Sequence, residues 1–242
     1  MTNQDRTALV TGANKGIGLQ IAAGLAAEGY RVAVGARDDE RREKALAELR
    51  ADGADVVGVR LDVSSDDSVA DAIAELEERF GHLDAVVNNA GISGPADAGG
   101  LQDPLTLDLD VLGTVLETNV YGAVRVTNAA LPLLRRSSAP RIVNVSSNMG
   151  SLALRTGPVM AAYAPSKTLL NAMTVQYARR LAETDPGLLV NAVCPGYVAT
   201  DFTGFAGWRT PTEGAAVAVR FATLPLGGPS GGFFDDAGEV SW

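Results

Sequence analysis

The amino-acid sequence predicts an α/β protein in which a doubly wound parallel sheet lies between two layers of helices. Short apolar runs alternate with helical patterns along most of the 242 residues, and a glycine-rich turn follows the first run. Repeated strand–helix pairs of this kind form parallel sheets covered on both faces. The sequence shows no internal repeat, linker or composition shift. We therefore predict one Rossmann-like, three-layer α/β/α domain over 1–242.

The elements follow one another in a regular order. Apolar runs rich in Val, Ile, Leu and Ala predict strands over 7–10, 31–35, 56–61, 84–88, 141–145 and 188–193. The apolar spacing between them predicts helices over 18–29, 39–51, 66–80, 112–136 and 161–183. Gly29 is typical of a helix C-terminal cap, because glycine adopts the left-handed conformation that such caps need.

Two segments interrupt the alternation. Segment 91–105 is rich in Gly, Pro, Ala and Asp, and segment 195–211 is rich in glycine and aromatic residues. Both follow the carboxyl end of a predicted strand, where doubly wound sheets bind their ligands. We therefore expect cofactor binding mainly within 5–150, and catalytic and substrate-binding elements mainly within 146–215.

The charge of the chain restricts its partners. The sequence has 20 Lys and Arg against 29 Asp and Glu, which gives a net charge of −9. This balance disfavours a broad basic face, so we expect neither a nucleic acid nor an anionic membrane as partner. No apolar run reaches the roughly 18 residues of a membrane span.

Three further features of the sequence bear on the cellular location and on metal binding. Cys194 is the only cysteine, which fits a reducing compartment. The N-terminus lacks the charged-then-apolar pattern of a secretory signal. His82, the only histidine, is typical of a surface turn, and without a His/Cys cluster we expect no metal. These features favour a cytoplasmic protein.

The glycine-rich turn predicts a dinucleotide site. Thr11-Gly12-Ala13-Asn14-Lys15-Gly16-Ile17-Gly18 lies between the first strand and the first helix. Glycines there permit a tight turn and let the backbone approach a pyrophosphate. The helix N-terminus adds free N–H groups and a partial positive charge. The alternative is an ordinary strand–helix turn.

The end of the second strand favours NADPH over NADH. An acidic residue there would bind the ribose 2′-hydroxyl of NAD, but the chain has Ala36 followed by Arg37, which can pair with a 2′-phosphate. Lys15 adds a second positive charge. Two alternatives stay open: Asp38-Asp39 could approach the ribose, and Arg41-Arg42 could form a solvated helix face.

The third strand ends at Asp62-Val63, a further candidate for cofactor contact. The Asp62 carboxylate could accept a hydrogen bond from the adenine amino group. It could equally initiate the helix that follows, since Asp favours helix N-termini.

Tyr163 and Lys167 form the central catalytic candidate. Their i, i+4 spacing places them on one face of a helix. An ammonium close to a phenol lowers the pKa of that phenol, which lets Tyr163 donate a proton to a carbonyl oxygen. Tyr-x-x-x-Lys alone is a weak signal, because surface helices carry many such pairs.

Two polar residues extend this candidate site. Ser147 follows the fifth strand at the predicted cofactor edge, where a hydroxyl can hydrogen-bond the substrate oxygen. Asn119 lies inside a predicted helix, although Asn is a mediocre helix former. It could hold a water connected to Lys167. The alternatives are a turn or cap serine and an Asn that makes an ordinary tertiary hydrogen bond.

In combination, these motifs resemble those of the short-chain dehydrogenase/reductase family over nearly the whole chain. They are Thr11-Gly12-x-x-x-Gly16-Ile17-Gly18, Asn88-Asn89-Ala90-Gly91, Asn119, Ser147, Tyr163-x-x-x-Lys167 and Pro195-Gly196. The resemblance implies Ser147, Tyr163 and Lys167 as catalytic residues, with Lys167 also on the nicotinamide ribose and Asn119 supporting a proton-relay water. It implies cofactor contacts from these residues: Gly12, Asn14, Lys15, Gly16, Ile17, Gly18, Arg37, Asp62, Val63, Asn89, Ala90, Gly91, Tyr163, Lys167, Pro195, Gly196, Val198 and Thr200.

NADPH-dependent carbonyl reductases are the most similar branch. The opening Gly12-Ala13-Asn14-Lys15-Gly16 and the stretch 194–201 resemble theirs, which implies that Asn14, Lys15 and Arg37 surround the 2′-phosphate. The animal enzymes carry a long insertion before the catalytic Tyr that blocks oligomer formation. Here Ser147 and Tyr163 are only 16 positions apart. The chain is therefore free to form a homodimer or homotetramer, as other relatives do.

Apolar side chains predict the substrate pocket. Tyr197, Phe202 and Trp208 lie in segment 195–211, which could close over the nicotinamide, and Met149 could form the opposite wall. Such a pocket suits a small-molecule ketone, aldehyde or quinone. The alternative is that these side chains simply pack under the loop.

The sequence therefore favours a reductase that transfers hydride from NADPH to a carbonyl group. An alcohol dehydrogenase working in the oxidative direction is an alternative within the same chemistry. A non-catalytic NADP(H)-binding regulator is disfavoured, because a sensor needs none of the acid chemistry of Tyr163.

Overall fold

A computed structural model describes residues 6–94 and 102–242 of the chain. Seven parallel strands form one sheet in the order β3-β2-β1-β4-β5-β6-β7. The strands are β1 Arg6–Thr11, β2 Tyr30–Ala36, β3 Val56–Arg60, β4 Ala85–Asn88, β5 Arg141–Val145, β6 Leu189–Val193 and β7 Phe233–Phe234. The predicted parallel α/β sheet is confirmed.

Helices cover both faces of the sheet. They are α1 Gly16–Ala27, α2 Asp39–Ala51, α3 Asp66–Phe80, α4 Leu109–Leu116, α5 Gly122–Leu134, α6 Tyr163–Thr184 and α7 Pro211–Ala222. Leu25 of α1, Leu46 of α2 and Phe221 of α7 are buried in one core. Leu76 of α3, Val126 of α5 and Leu181 of α6 are buried in the other. The sheet therefore separates two cores, as a three-layer fold requires.

Most predicted elements agree with the structure, with two differences. The predicted helix 112–136 is interrupted by a π-helical turn at Glu117–Tyr121, so two helices flank Asn119. The sequence also did not predict α7 and β7. Helix α7 begins with a capping box between Thr210 and Glu213, a start signal that the prediction overlooked. Strand β7 has only two residues, too few for a periodic pattern.

The strand order reverses between β1 and β4, which are neighbours in the sheet although two strands separate them in sequence. Connections leave to opposite faces at such a switch point, and a crevice opens at the carboxyl ends of the strands. The part of segment 91–105 that spans residues 95–101 lies outside the described residues. Within the described ranges, no helix has both the length and the apolar character to cross a bilayer.

Candidate active site

A cleft of about 660 Å³ opens at the carboxyl edge of the sheet, above the switch point. It is large enough for a dinucleotide cofactor, since ligand pockets typically occupy roughly 300–1,000 Å³. Its walls are formed by Gly12, Asn14, Lys15, Gly16, Ile17, Gly18, Ala36, Arg37, Asp38, Arg41, Leu61, Asp62, Val63, Asn89, Ala90, Gly91, Ile92, Ser93, Gly94, Thr118, Val145, Ser146, Tyr163, Lys167, Pro195, Thr200, Asp201 and Phe202. Most of the predicted cofactor residues thus meet in one cleft.

The glycine loop is built for close backbone approach. Gly12 has a φ of 63°, a left-handed conformation that favours glycine. A Cβ at Gly18 would lie 2.4 Å from Asn89 Nδ2 and 2.5 Å from the Gly12 carbonyl oxygen. Asn89 Nδ2 in turn donates to the carbonyl oxygens of Thr11 and Gly12, at 2.9 and 3.2 Å. The loop is therefore held rigidly against the end of β4.

The start of α1 leaves donors for an anion. Lys15 occupies the N-cap position, and no side chain caps this helix. The first N–H groups of an α-helix have no partner within the helix, and the helix dipole is positive there. With glycines allowing close approach, the loop fits a pyrophosphate.

The two acidic residues after β2 are engaged by their own helix. Asp38 Oδ1 accepts a hydrogen bond from the Arg41 backbone N–H at 3.0 Å, so it caps α2. Asp39 pairs with Arg42 at 2.7 Å. Arg37 lines the cleft, is exposed, and has no hydrogen-bonded or ion-paired partner within 6–94 and 102–242. Its guanidinium is thus open to an anionic group, which favours the 2′-phosphate interpretation.

Arg41 is a cleft residue, so the alternative that it only forms a solvated helix face does not hold. It lines the cleft with Arg37, and its charge reaches Asp201, where it helps to lower the pKa of the carboxyl. The signal in the sequence that could have identified Arg41 as a cleft residue was its position four residues after Arg37, on the first turn of α2. Lys15 also lies in the cleft, but its Nζ pairs with Asp201 Oδ2 at 2.8 Å.

Asp62 serves the turn into α3 while lining the cleft. Its Oδ1 accepts hydrogen bonds from the Ser64 backbone N–H at 3.0 Å and the Ser64 hydroxyl at 2.6 Å. These bonds from Ser64 hold the pKa of the Asp62 carboxyl below its usual range. Asp62 therefore stabilises the turn before α3 and does not initiate the helix, whose N-cap is Ser65, and its Oδ2 is left for an adenine contact. Val63 lines the cleft beside it and packs against Gly122.

Tyr163 is the first residue of α6 and is buried at the wall of the cleft. Lys167 Nζ lies 5.7 Å from the centre of the Tyr163 ring and donates to the Val145 carbonyl oxygen at 2.8 Å. Burial raises the pKa of the Tyr163 phenol, although the Ser147 side chain opposes this as a hydrogen-bond partner. Burial also lowers the pKa of Lys167 to about 8.

The net pKa of Tyr163 is therefore raised in this structure, not lowered as predicted. The ammonium is directed to a backbone carbonyl, and removal of the phenol from water dominates. A phenol with a raised pKa stays protonated at neutral pH. Tyr163 is consequently suited to donate a proton.

Asn119 lies in the π-helical turn, where the helix bulges. Its Nδ2 donates to the Ile92 carbonyl oxygen and to Ser166 Oγ, both at 2.9 Å, and its Oδ1 accepts from the Ile92 N–H at 2.8 Å. These bonds join the loop after β4 to α6. The structure thus shows the tertiary hydrogen bonds of the alternative interpretation, and the relay role stays a prediction.

Gln102 is a functional candidate that sequence reasoning missed. Its Oε1 accepts from the backbone N–H groups of Ala162 at 2.6 Å and Tyr163 at 3.0 Å, and its Nε2 donates to the Ser93 carbonyl oxygen at 2.6 Å. The side chain is buried and supplies the cap that α6 itself lacks. No local pattern could have signalled a contact over 61 positions.

The predicted substrate residues separate into two groups. Phe202 lines the cleft, and its ring centre lies 5.4 Å from that of Tyr163. Tyr197 instead packs edge-on against the exposed Trp208, and Met149 packs against Gly157. Within the described residues, the cleft wall does not include Tyr197, Trp208 or Met149, so the substrate role of these three residues stays a prediction.

The predicted cofactor residues in the segment after β6 also separate into two groups, one on the cleft wall and one away from it. Pro195 and Thr200 reach the cleft wall. Gly196 has a φ of 78° and faces the Arg209 side chain, while Val198 is buried against Gly214. Gly196 and Val198 thus support the loop rather than the cleft surface. No group of His, Cys, Asp or Glu suited to a metal ion occurs in the part of the chain that the structure describes.

Comparison with known proteins gives a consistent result. The family model described as short chain dehydrogenase matches residues 6–207. Short-chain dehydrogenase/reductase 1 of Saponaria officinalis is 36% identical over 96% of this chain and 94% of its own. (-)-Isopiperitenone reductase of Mentha piperita is 35% identical over 97% of each chain. The solved structure of an actinorhodin polyketide ketoreductase with NADPH has a TM-score of 0.85 at 32% identity and covers 98% of each chain.

Proposed function

The chain belongs to the short-chain dehydrogenase family, and we propose that it is an NADPH-dependent reductase of small-molecule ketones or aldehydes. The observation that carries this proposal is the buried Tyr163 phenol, which lines the same cleft as the glycine loop and lies beside Lys167 and Ser147. A site that only binds a nucleotide has no need of this acid group.

Tyr163, Ser147 and Lys167 each have a separate role in the reduction. When bound, the reduced nicotinamide supplies the hydride that the carbonyl carbon accepts. Tyr163 donates its phenolic proton to the carbonyl oxygen, which completes the alcohol. Ser147 hydrogen-bonds that oxygen and stabilises its developing negative charge. Lys167 holds a positive charge near the phenolate that remains, until a proton from solvent restores it.

The protonation state of Tyr163 supports catalysis in the reductive direction. Oxidation of an alcohol needs a phenolate that accepts a proton, whereas reduction needs a phenol that donates one. Burial raises the pKa of Tyr163, so the donor form predominates at neutral pH. The names of isopiperitenone reductase and the polyketide ketoreductase agree with this direction.

The choice of cofactor depends on the charges around the ribose position. Arg37, Arg41 and Lys15 line the cleft there, and Asp38 is occupied as a helix cap. Arginine binds phosphate oxygens through two parallel N–H groups. A 2′-phosphate therefore matches this part of the cleft better than a free 2′-hydroxyl, which supports NADPH.

The central experiment follows NADPH absorbance over a panel of ketones and aldehydes. Tyr163→Phe should lower kcat by about 10²-fold or more, because the general acid is removed, while NADPH binding is retained. Activity that survives this change would remove Tyr163 as the acid. Tyr177→Phe is a matched control, because Tyr177 lies on the same helix but bonds to Asn128.

A second variant tests the cofactor. Arg37→Ala should weaken NADPH about tenfold or more, because a charge-assisted hydrogen bond to phosphate is lost, and should leave NADH nearly unchanged. Equal losses for both cofactors would contradict the NADPH assignment.

Two further expectations stay predictions. One is the cytoplasmic location. The other is a homodimer or homotetramer formed through the helix faces that carry Asn119 and Tyr163. Tyr121 and Leu169 are exposed near these faces, at 49% and 38%. Sedimentation or light scattering of the purified protein would test the assembly.

A further inference from the structure

The glycine loop and the segment after β6 meet across the mouth of the cleft. Lys15 Nζ and Asp201 Oδ2 form an ion pair at 2.8 Å, although 186 positions separate them in sequence. Beside this pair, a Cβ at Gly16 would lie 3.3 Å from Thr200 Cγ2, so the two backbones are also close. Both partners of the ion pair line the cleft. The contact thus spans the groove that a dinucleotide would occupy.

Asp201 is linked to Tyr163 through its neighbour Phe202. It begins a 3-10 turn, Asp201–Thr203, in which Thr200 and Thr203 cap each other. The next residue, Phe202, places its ring 5.4 Å from the ring of Tyr163. This turn is short and internally bonded. The Lys15–Asp201 pair therefore tethers the turn that carries the Phe202 ring.

The ion pair is also easy to exchange. The side chains of Lys15 and Asp201 are 52% and 50% exposed, and half-exposed ion pairs contribute little stability. Lysine carries a compact charge on a flexible stem, so Nζ can turn from one anion to another without movement of the backbone. A 2′-phosphate carries more charge than a carboxylate and offers more acceptor oxygens.

We propose that Asp201 sets the cofactor selectivity of the enzyme by competing with the 2′-phosphate of NADPH for Lys15. The proposal rests on the NADPH-dependent function given above. With NADPH, Lys15 turns to the phosphate and releases Asp201, and Phe202 is freed to adjust over Tyr163. With NADH, which has no 2′-phosphate, the Lys15–Asp201 pair stays intact.

The electrostatics of the surrounding groups agree with this exchange. Lys15, and at longer range Arg41, lower the pKa of the Asp201 carboxyl, so it is ionised at neutral pH. Asp38 and Asp62 are the other carboxylates lining the described part of the cleft, but Asp38 is fixed as the cap of α2 and Asp62 is bonded to Ser64. Asp201 is thus the carboxylate in the described part of the cleft that both pairs with Lys15 and lies on the substrate side.

The first test uses two cofactor fragments, 2′,5′-ADP and 5′-AMP, titrated calorimetrically into the intact protein. Lys15→Ala should weaken 2′,5′-ADP about tenfold, because a charge-assisted contact is lost. Asp201→Asn should tighten 2′,5′-ADP about fivefold, because the competing carboxylate is removed. In the double variant the gain from Asp201→Asn should fall to about twofold or less, since there is no lysine left to release. Neither change should alter 5′-AMP binding.

Glu77→Gln is the matched control. It breaks the ion pair between Glu77 and Arg136, whose side chains are 53% and 48% exposed, at the opposite edge of the sheet. Binding of both fragments should be unaffected, and the melting temperatures of the Glu77 and Asp201 variants should be similar. Asp201→Glu keeps the carboxylate and should retain most of the wild-type selectivity.

Three results would overturn the proposal. Asp201→Asn could weaken 2′,5′-ADP, which would mean that Asp201 holds Lys15 ready for the phosphate. It could instead leave 2′,5′-ADP unchanged. It could also tighten 2′,5′-ADP equally with and without Lys15, which would mean direct repulsion. A failure of the proposed function itself is distinguishable, because then the wild-type protein would not prefer 2′,5′-ADP over 5′-AMP at all.

The proposed effect of the ion pair on Phe202 is tested separately, by the KM for the ketone with each cofactor. The KM for the ketone should differ between NADPH and NADH in the wild-type enzyme, because the position of Phe202 differs. In Asp201→Asn the ion pair is absent with either cofactor, so this difference should shrink to about twofold or less. A KM that is the same with both cofactors in the wild type, or a difference that persists in Asp201→Asn, would contradict the transmission through Phe202.

Discussion

The nucleotide side and the substrate side of the cleft are built in different ways. On the nucleotide side, Asn89 bonds the glycine loop and Asp38 caps α2. On the predicted substrate side, Phe202 lines the cleft and is 44% exposed, and Trp208 lies beyond the cleft wall and is 81% exposed. Backbone position therefore shapes the glycine loop, whereas exposed aromatic side chains shape the predicted substrate side.

Connection length explains much of this difference. Short turns join β1 to α1 and β2 to α2, so the strands fix the cofactor loops. The connection from β6 to α7 spans 194–210 and is much longer, and it is held mainly by its own hydrogen bonds, among them the Ala199 N–H to the Arg209 carbonyl oxygen at 2.8 Å and Thr203 Oγ1 to the Val198 carbonyl oxygen at 2.6 Å. Long connections carry functional variation on a rigid scaffold. Four experiments test this difference between the two sides of the cleft.

The largest effect is expected for Gly18→Ala. Its Cβ would lie within 2.5 Å of the Gly12 carbonyl oxygen and Asn89 Nδ2, so the glycine loop must move. NADPH affinity should fall about 100-fold, since the backbone donors are misplaced by an ångström or so. Gly113→Ala is the control, because nothing lies within 4 Å of a Cβ there. It should keep NADPH binding and raise stability by about 1 kcal/mol. Unchanged cofactor binding in Gly18→Ala would show that this side is not rigid.

Gln102→Leu should have the next largest effect. It leaves the N–H groups of Ala162 and Tyr163 without their acceptor, which misplaces the phenol at the start of α6. We expect kcat to fall about tenfold or more while the Kd of NADPH is retained. Gln102→Glu keeps the acceptor oxygen and should recover part of the loss. A fall in NADPH affinity as large as that in kcat would indicate a general structural role.

The pH dependence of reduction should reveal Lys167. Burial lowers its pKa to about 8 from 10.5, so the ammonium is present below about pH 8 and is lost as the pH rises above it. The raised pKa of Tyr163 keeps the phenol protonated across this range. We expect kcat/KM to fall about tenfold per pH unit above pH 8. NADPH binding measured over the same range separates chemistry from affinity. A flat profile to pH 9.5 would contradict a role for the Lys167 charge.

Trp208→Ala should have the smallest effect on stability and on cofactor binding. Its ring is exposed and contacts Tyr197, so stability should change by about 0.5 kcal/mol or less. The relative kcat/KM values across a ketone panel should shift, while NADPH affinity stays the same. An unchanged ranking would place Trp208 outside the substrate path.

Much of the nucleotide side could be predicted from the sequence, because its signals are local. The bounds predicted for α2, α3 and β5 agree with the structure, since each has a cap or a continuous apolar run. The substrate side was predicted less well. Tyr197 and Trp208 are aromatic residues in a plausible loop, but composition does not say which of them faces the cleft and which packs on a neighbour.

The strand–helix order, the glycine loop and the placement of Tyr163 and Lys167 on one helix face could be predicted from the amino-acid sequence, because each depends on spacing over a few residues. The cap that Gln102 provides for the catalytic helix and the ion pair of Asp201 with Lys15 became visible in the folded chain, since these contacts join residues 61 and 186 positions apart. The tertiary structure also decided the direction of the Tyr163 pKa. That direction depends on how much water the surrounding elements remove from the phenol, and no local pattern encodes this quantity.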